Sequence, residues 1–381
     1  MKGLFLYDHP IPEQGRTGVD RKVLNQIKVM NACGLSCEAY FWDDSPKKMQ
    51  AILARLPFGG GIPPWRYDKA FEEADFLYFR KPSFLSGDMR RVLKRIRRSN
   101  PKVKIVMEIP TYPYDTEMME FVKDRPFLWK DRFHRSRLKG LVDCLAVIGD
   151  KTYNELFDLP VVMIKNGLDL STIRLRSPVE DDVIDLCAVA MFAPWHGYER
   201  LIEGLIRYYE RGGKRLFCLH LVGEGQEKAA YVRLAQHPLA KGRVIFYGML
   251  GGDELNAIYD RADIGVCSLG MYKKGNNFIG VLKAREYLAK GLPMLATAPF
   301  DLTENGNPDY YLQCDNSATP IDFEKVAEFY DAMHQEKNQP AATAQRMRAL
   351  AEDTIDMRVT FKPAIDYLLS FQKESSSVQG R

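Results

Sequence analysis

Residues 268–293, Ser-Leu-Gly-Met-Tyr-Lys-Lys-Gly-Asn-Asn-Phe-Ile-Gly-Val-Leu-Lys-Ala-Arg-Glu-Tyr-Leu-Ala-Lys-Gly-Leu-Pro, hold the densest set of groups able to do chemistry. A polar glycine loop leads into a helical pattern that Gly291 and Pro293 end, the usual stop signals. The N–H groups of Gly280, Val281 and Leu282 then open a helix, where unpaired donors and the helix dipole suit a diphosphate. Lys283 and Glu286 lie three apart on one helical face, a cation for phosphate and a carboxylate for ribose hydroxyls. The same spacing equally allows them to pair with each other, which is worth about 0.2–0.5 kcal/mol. Two further glycine turns follow apolar runs. Gly15-Arg-Thr-Gly18 precedes a helical pattern, so that Gly18 and Arg16 are candidates to meet an anion or substrate; a plain strand-to-helix turn is the alternative. Gly223-Glu-Gly225 lets backbone approach a nucleotide and makes Gly223 and Glu224 binding candidates.

Other phosphate chemistry is excluded. Gly213-Lys214 is followed by Arg215, so no P-loop exists, and Gly223-Glu-Gly225 lacks the third glycine of a dinucleotide fingerprint. Seven cysteines, an odd number mostly inside apolar runs, read as reduced core residues. Cys33 and Cys37 have no second Cys/His pair at zinc spacing nearby, so no metal is expected.

These groups need a scaffold, and its class is readable. A length of 381 residues points to two domains at about 150 residues each. With 46% hydrophobic and 27% charged residues, the composition is that of a folded globular chain. Net charge is only +4, which argues against nucleic acid as the main partner. Short apolar runs at 3–7, 37–42, 76–79, 103–109, 144–148 and 161–164 alternate with helical patterns, and the series restarts at 184–190, 217–222, 244–247, 264–267 and 294–296. Repeated strand–helix–strand units imply two Rossmann-like, doubly wound parallel sheets, with ligands at the strand carboxyl ends and a cleft between the halves as the expected site. The expected boundaries are 1–172 for the first domain and 173–357 for the second. A helix over 358–372 is expected to pack back on the first domain, and 373–381 to form a disordered tail. No run reaches the roughly 18 apolar residues of a membrane span, and Asp8 and Pro10 cut the apolar start short of a signal peptide, so a cytoplasmic location is expected.

Taken in order, several segments resemble the retaining GT-B glycosyltransferases of glycosyltransferase family four. They are Gly18 with its helix, Lys165-Asn-Gly-Leu-Asp169, Trp195-His-Gly-Tyr-Glu-Arg-Leu-Ile-Glu-Gly204, Leu221-Val-Gly-Glu-Gly225, Val244-Ile-Phe-Tyr-Gly248, Ala262-Asp263 and residues 282–293. The resemblance implies a GT-B fold, a nucleotide-sugar donor (a UDP-sugar is favoured) held by the second domain, a glycan or lipid-linked acceptor held by the first, and neither cofactor nor catalytic metal. It assigns Glu286 to the donor ribose, His196 to the position of a diphosphate-neutralising lysine, Lys283 to a compensating cation, Gly18 to the loop against the diphosphate, and Tyr247 to the donor side. The chain departs from the pattern at Phe278, where the family has a first glutamate, and at Met191, where it has an arginine. Where many members have a histidine after the fourth strand, Glu108, Thr111 and Asp115 are the alternatives for sugar or acceptor contact. Two other classes compete: a non-catalytic GT-B subunit that binds a partner, and a sugar-nucleotide epimerase.

The first half also carries two basic segments. Residues 84–104 contain Arg90, Arg91, Lys94, Arg97 and four further cations against Asp88 alone; residues 123–139 contain Arg132 and six others interleaved with Phe127, Trp129 and Phe133. Cations with aromatics suit an anionic bilayer, at about 1 kcal/mol per cation near the surface. The expectation is peripheral contact at the inner membrane face through Arg90, Arg91, Lys94, Arg97, Trp129 and Arg132; a solvated helix face is the plain alternative.

Overall fold

The computed structural model describes residues 1–12, 17–42, 48–56, 59–119, 124–149, 151–179, 181–274, 282–297, 308–335 and 339–378. Two compact units divide the chain: Met1–Gly167 with Met357–Arg381, and Leu168–Asp356.

In the first unit the strands are β1 (Lys2–Tyr7), β2 (Ser36–Phe41), β3 (Phe76–Arg80), β4 (Lys104–Tyr112), β5 (Cys144–Gly149), β6 (Glu155–Leu156) and β7 (Leu159–Met163). Among the described residues they form one sheet in the order β2-β1-β3-β4-β5-β7-β6, parallel except for the β6–β7 hairpin. The helices between them are α1 (Gly18–Ala32), α2 (Lys48–Leu53), α3 (Gly87–Ser99), α4 (Asp115–Met119) and α5 (Arg125–Arg135). Period-two alternation explains why the central strands read as unbroken apolar runs. Leu4, Leu6, Leu77 and Phe79 enter the core on one face, while Phe5, Tyr7, Phe76 and Tyr78 enter it on the other. The order reverses between β1 and β3, a switch point of the kind that seats ligands. There Thr17 caps α1, its hydroxyl accepting from the Asp20 N–H while the Asp20 carboxylate accepts from the Thr17 N–H.

The second unit has β8 (Val183–Val189), β9 (Leu216–Val222), β10 (Val244–Gly248), β11 (Ile264–Val266), β12 (Met294–Ala296) and β13 (Tyr311–Gln313), all parallel, in the order β10-β9-β8-β11-β12-β13. This is the Rossmann order, with its switch point between β8 and β11. Its helices are α6 (Glu199–Glu210), α7 (Lys228–Ala235), α8 (Gly252–Arg261), α9 (Leu282–Lys290), α10 (Phe323–Met333) and α11 (Pro340–Thr354). Arg200 is buried, and its guanidinium donates to the carbonyls of Leu269, Asp315 and Thr319, which ties the segment after β11 to the lead-in of α10. Residues 174–179 are strapped onto this unit, since the buried Arg176 donates to the Gly291 and Ala262 carbonyls.

The chain then returns to the first unit in α12 (Met357–Thr360) and α13 (Lys362–Val378). Phe361, Ala364, Ile365 and Leu368 pack into the core with Phe5 and Tyr78, and the Phe361 and Tyr78 ring centroids are 5.5 Å apart. Helix α13 runs through most of 373–381, the segment expected as a tail; residues 379–381 lie outside the described residues. No helix among the described residues is long and apolar enough to cross a membrane.

Candidate functional site

In the second unit the strand carboxyl ends are laced together by glycines. The Gly223 N–H donates to the Gly248 carbonyl at 2.6 Å, and the Phe192 N–H donates to the Glu224 carbonyl at 2.6 Å. Gly223 has φ +137°, and a Cβ there would sit 1.8 Å from the Ala190 carbonyl oxygen, so no other residue fits this turn. The loops after β8, β9 and β10 thus share one wall. Tyr247 stands at its end, with its hydroxyl 2.8 Å from His220 Nδ1; His220 Nε2 is 2.7 Å from Asp185, and Arg261 Nε donates to the other Asp185 oxygen at 3.0 Å. A carboxylate can only accept, so the imidazole proton lies on Nε2 and the Tyr247 hydroxyl donates to Nδ1. Asp185, Cys218 and His220 also form a cluster of metal-ligating types within 4.8 Å, but Arg261 and Tyr247 already satisfy its charge and hydrogen bonds.

His196 ends the short 3-10 turn Pro194–His196. Its Nδ1 accepts from the Ala193 N–H at 3.1 Å, which puts the proton of a neutral ring on Nε2 as a donor. Its carbonyl accepts from the Leu269 N–H at 2.7 Å, and Gly197, at φ +64°, lets the turn press against Gly270.

Lys283 and Glu286 occupy the first two turns of α9. Among the described residues no ion pair joins them. Instead Lys283 Nζ is 3.4 Å from the Tyr198 hydroxyl, and the Tyr259 hydroxyl donates to Glu286 at 3.1 Å. Each charge is therefore held separately, one turn apart. Burial pushes the Lys283 ammonium down to about 8, against the pull of Cys267 and Glu286. Leu282 opens the helix, whereas Gly280, Val281 and Phe278 lie outside the described residues. Glu224 pairs with Lys228 at 2.5 Å, and Met191, 64% exposed, brings no charge.

In the first unit Gly18 opens α1, and nothing lies within 4 Å of where a Cβ would be. Arg16 lies outside the described residues. Beside the cap, Tyr7 donates to Asp20 at 2.8 Å and His9 Nε2 is 3.2 Å from the same carboxylate. Burial opposes ionisation of Asp20, but hydrogen bonds from Thr17 and Tyr7 hold it down to about 2. Of the three acceptor-side candidates, Thr111 is exposed at the end of β4, while Asp115 is paired with Arg132 at 2.7 Å and Arg135 at 2.6 Å. Glu108 is fully buried. It accepts from Lys22 Nζ at 2.9 Å, Gln26 Nε2 at 2.6 Å and the Tyr78 hydroxyl at 2.7 Å, with Arg80 at 3.8 Å. Burial alone would raise its pKa; Lys22 and Arg80 keep it lowered. Glu108 thus fixes Lys22 on the first turns of α1 and Arg80 at the end of β3, and does not itself face outward. Of the basic residues, Arg91, Lys94, Trp129 and Arg132 are exposed and Arg90 is half-buried. Arg97 is spent on the Val103 and Leu141 carbonyls and on Asp143.

Residues 184–335 match the sequence family described as Glycosyl transferases group 1. No curated protein matches the chain. Three solved structures are similar over nearly the full length. Sucrose-phosphate synthase from Thermosynechococcus elongatus has 14% identity, a TM-score of 0.56, and coverage of 100% of this chain and 99% of that one. A glycosyltransferase from Rickettsia africae has 12% identity, a TM-score of 0.62, and 98% coverage of both chains. Anabaena HepE in complex with UDP-glucose has 15% identity, a TM-score of 0.55, and coverage of 97% and 99%. The fold is that of the GT-B glycosyltransferases.

The Glu108 network makes a stability prediction. Glu108→Ala strands the Lys22 ammonium among buried groups and lowers unfolding free energy by about 3–5 kcal/mol in urea. Glu108→Gln keeps the acceptor shape and costs less. Equal stability of all three proteins would contradict the network.

Proposed function

We propose that the chain, whose residues 184–335 match Glycosyl transferases group 1, is a glycosyltransferase that moves a sugar from a nucleotide-diphosphate sugar, a UDP-sugar by preference, to a glycan or lipid-linked oligosaccharide, with retention and without a catalytic metal. The observation that carries this reading is the separation of Lys283 from Glu286 at the start of α9. A mutual ion pair would have spent both charges. Held apart by Tyr198 and Tyr259, they meet the two chemistries of one ligand: the ammonium faces diphosphate, and the carboxylate accepts from ribose hydroxyls.

The leaving diphosphate gains negative charge as the glycosidic bond breaks, and pre-aimed donors stabilise that charge without reorganising. Lys283, the Nε2–H of His196 and the first N–H groups of α9 fill this role, which a divalent cation fills elsewhere. The wall of Gly223, Glu224 and Tyr247 borders the nucleoside side. HepE, which was crystallised with UDP-glucose, supports the donor class. In the first unit Thr111 and Arg80 at the strand ends are the acceptor-side groups, the Lys22–Glu108 pair sets the position of the arginine, and Gly18, at the start of α1, belongs to the loop set against the diphosphate. The exposed Trp129 and Phe133 beside Arg91, Lys94 and Arg132 support contact with an anionic membrane surface on the cytoplasmic side.

A thermal-shift titration with UDP, GDP, dTDP and ADP and their common sugars tests the donor reading. The matching nucleotide at 100 times its dissociation constant adds about 2.7 kcal/mol to the folded state. Glu286→Ala removes most of that gain. If no nucleotide stabilises the folded wild type, the reading falls behind a non-catalytic subunit; conversion of the nucleotide sugar to an isomer without acceptor would favour an epimerase. For the membrane contact, sedimentation with anionic vesicles at low salt and release at high salt is expected, and no sedimentation at low salt would refute it.

A further inference from the structure

The turn after α2, the start of α3 and one face of α5 line an open cavity of about 670 Å³ within the first unit. Its walls include Arg55, Arg91, Lys130, His134, Trp129 and Phe133. That volume falls in the range of sites for small organic molecules. Among the described residues no carboxylate lines it, because the nearby acids are committed elsewhere. Asp88 accepts from the Gly61 and Trp65 N–H groups, and Asp131 accepts from the Leu85 N–H and the Tyr114 hydroxyl and pairs with Lys81 at 3.0 Å. Lys130 is buried, its Nζ held by the carbonyls of Ala54, Leu56 and Gly60, and the Asp88 carboxylate partly offsets the cost of burying its charge.

His134 gives the cavity direction. It is only 6% exposed, and its Nδ1 lies 3.4 Å from Arg90 Nη1, a donor that cannot accept, so the neutral ring carries its proton on Nε2. That nitrogen lies toward Gly87, 3.9 Å from where a side chain would begin, and has no protein partner among the described residues. Burial first, then Arg90, Lys130 and Arg137, push the imidazole down to about 4, with Asp131 opposing them. The other half of the cavity is apolar: Trp129 is 75% and Phe133 52% exposed, four residues apart on α5, with Leu56 also exposed nearby.

We propose that this cavity binds the phosphate of a single lipid molecule, the anion lying between Arg55, Arg91 and the Nε2–H of His134 and the hydrocarbon lying along Trp129 and Phe133. The cations with one histidine donor recognise the head, and the exposed aromatic pair bury the chain, so neither a free anion nor an uncharged lipid satisfies both halves. The inference deepens the lipid-linked acceptor reading above and rests on it for the site's role. Binding itself is independent of donor and transfer.

The test titrates the full chain, without nucleotide, with dihexanoyl phosphatidic acid as monomers, inorganic phosphate and dihexanoylglycerol, and reads heat and tryptophan fluorescence. Saturable binding of the phosphatidic acid is expected, at least tenfold tighter than inorganic phosphate, with none for the diacylglycerol. Arg91→Glu and Trp129→Ala, both at exposed positions, weaken lipid binding at least tenfold while leaving the thermal midpoint unchanged, and Trp129→Ala does not alter phosphate binding. Unchanged lipid affinity in both variants overturns the proposal. So does phosphate binding as tightly as the lipid, which would mean a simple anion site, or no binding of any probe. UDP binding measured on the same preparation separates this failure from failure of the transferase reading.

Discussion

The start of α9 in the second unit carries a lysine kept charged where water is scarce. Burial pulls Lys283 down to about 8, so at neutral pH the ammonium persists at a cost that the folded chain must carry elsewhere. Its neighbours explain why the charge is not quenched. Tyr198 is a neutral hydroxyl, and Glu286, which could have paired with it, is turned to Tyr259. The proposed donor reading sets a diphosphate against this cation at the start of the same helix.

The rest of the unit holds that arrangement still. Arg200 gathers three backbone carbonyls around the segment after β11, and Gly197 lets the His196 turn dock on Gly270. The Gly223 turn closes on Ala190, and Asp185 and His220 brace Tyr247 from within the sheet. The first unit uses the same economy with opposite polarity. There a buried carboxylate, Glu108, fixes Lys22 and Arg80 near the switch point.

Much of this was legible in the sequence because it is local. Apolar runs of three to seven residues marked eleven of the thirteen described strands, while β6 has only two residues and β13, Tyr-Leu-Gln, only two apolar ones, too few to carry a pattern. Lys283 and Glu286 declared themselves by spacing on one helix, though spacing alone allowed them to pair, and only the positions of Tyr198 and Tyr259 decide otherwise. Non-local partners were illegible. His220 meets Asp185 across 35 residues, and Glu108 meets Lys22 across 86, so neither network leaves a motif. Glu108 and Asp115 stood out as acids at a strand end, yet one is buried as an anchor and the other is bound by two arginines, a distinction that burial and partners make. Arg90 and Arg91 are adjacent in sequence, but helical geometry turns one toward His134 and leaves the other exposed.

The central claim is that Lys283 supplies charge to a diphosphate without a metal. Calorimetric affinities of UDP and UMP between pH 7.5 and 9.5, with EDTA present, test it most directly. The account predicts that UDP binds at least tenfold tighter than UMP below pH 8, and that the advantage fades as Lys283 loses its proton above about 8. Lys283→Met should erase both the advantage and its pH dependence. An advantage that survives in Lys283→Met, or that vanishes in wild type on adding EDTA, would contradict the account.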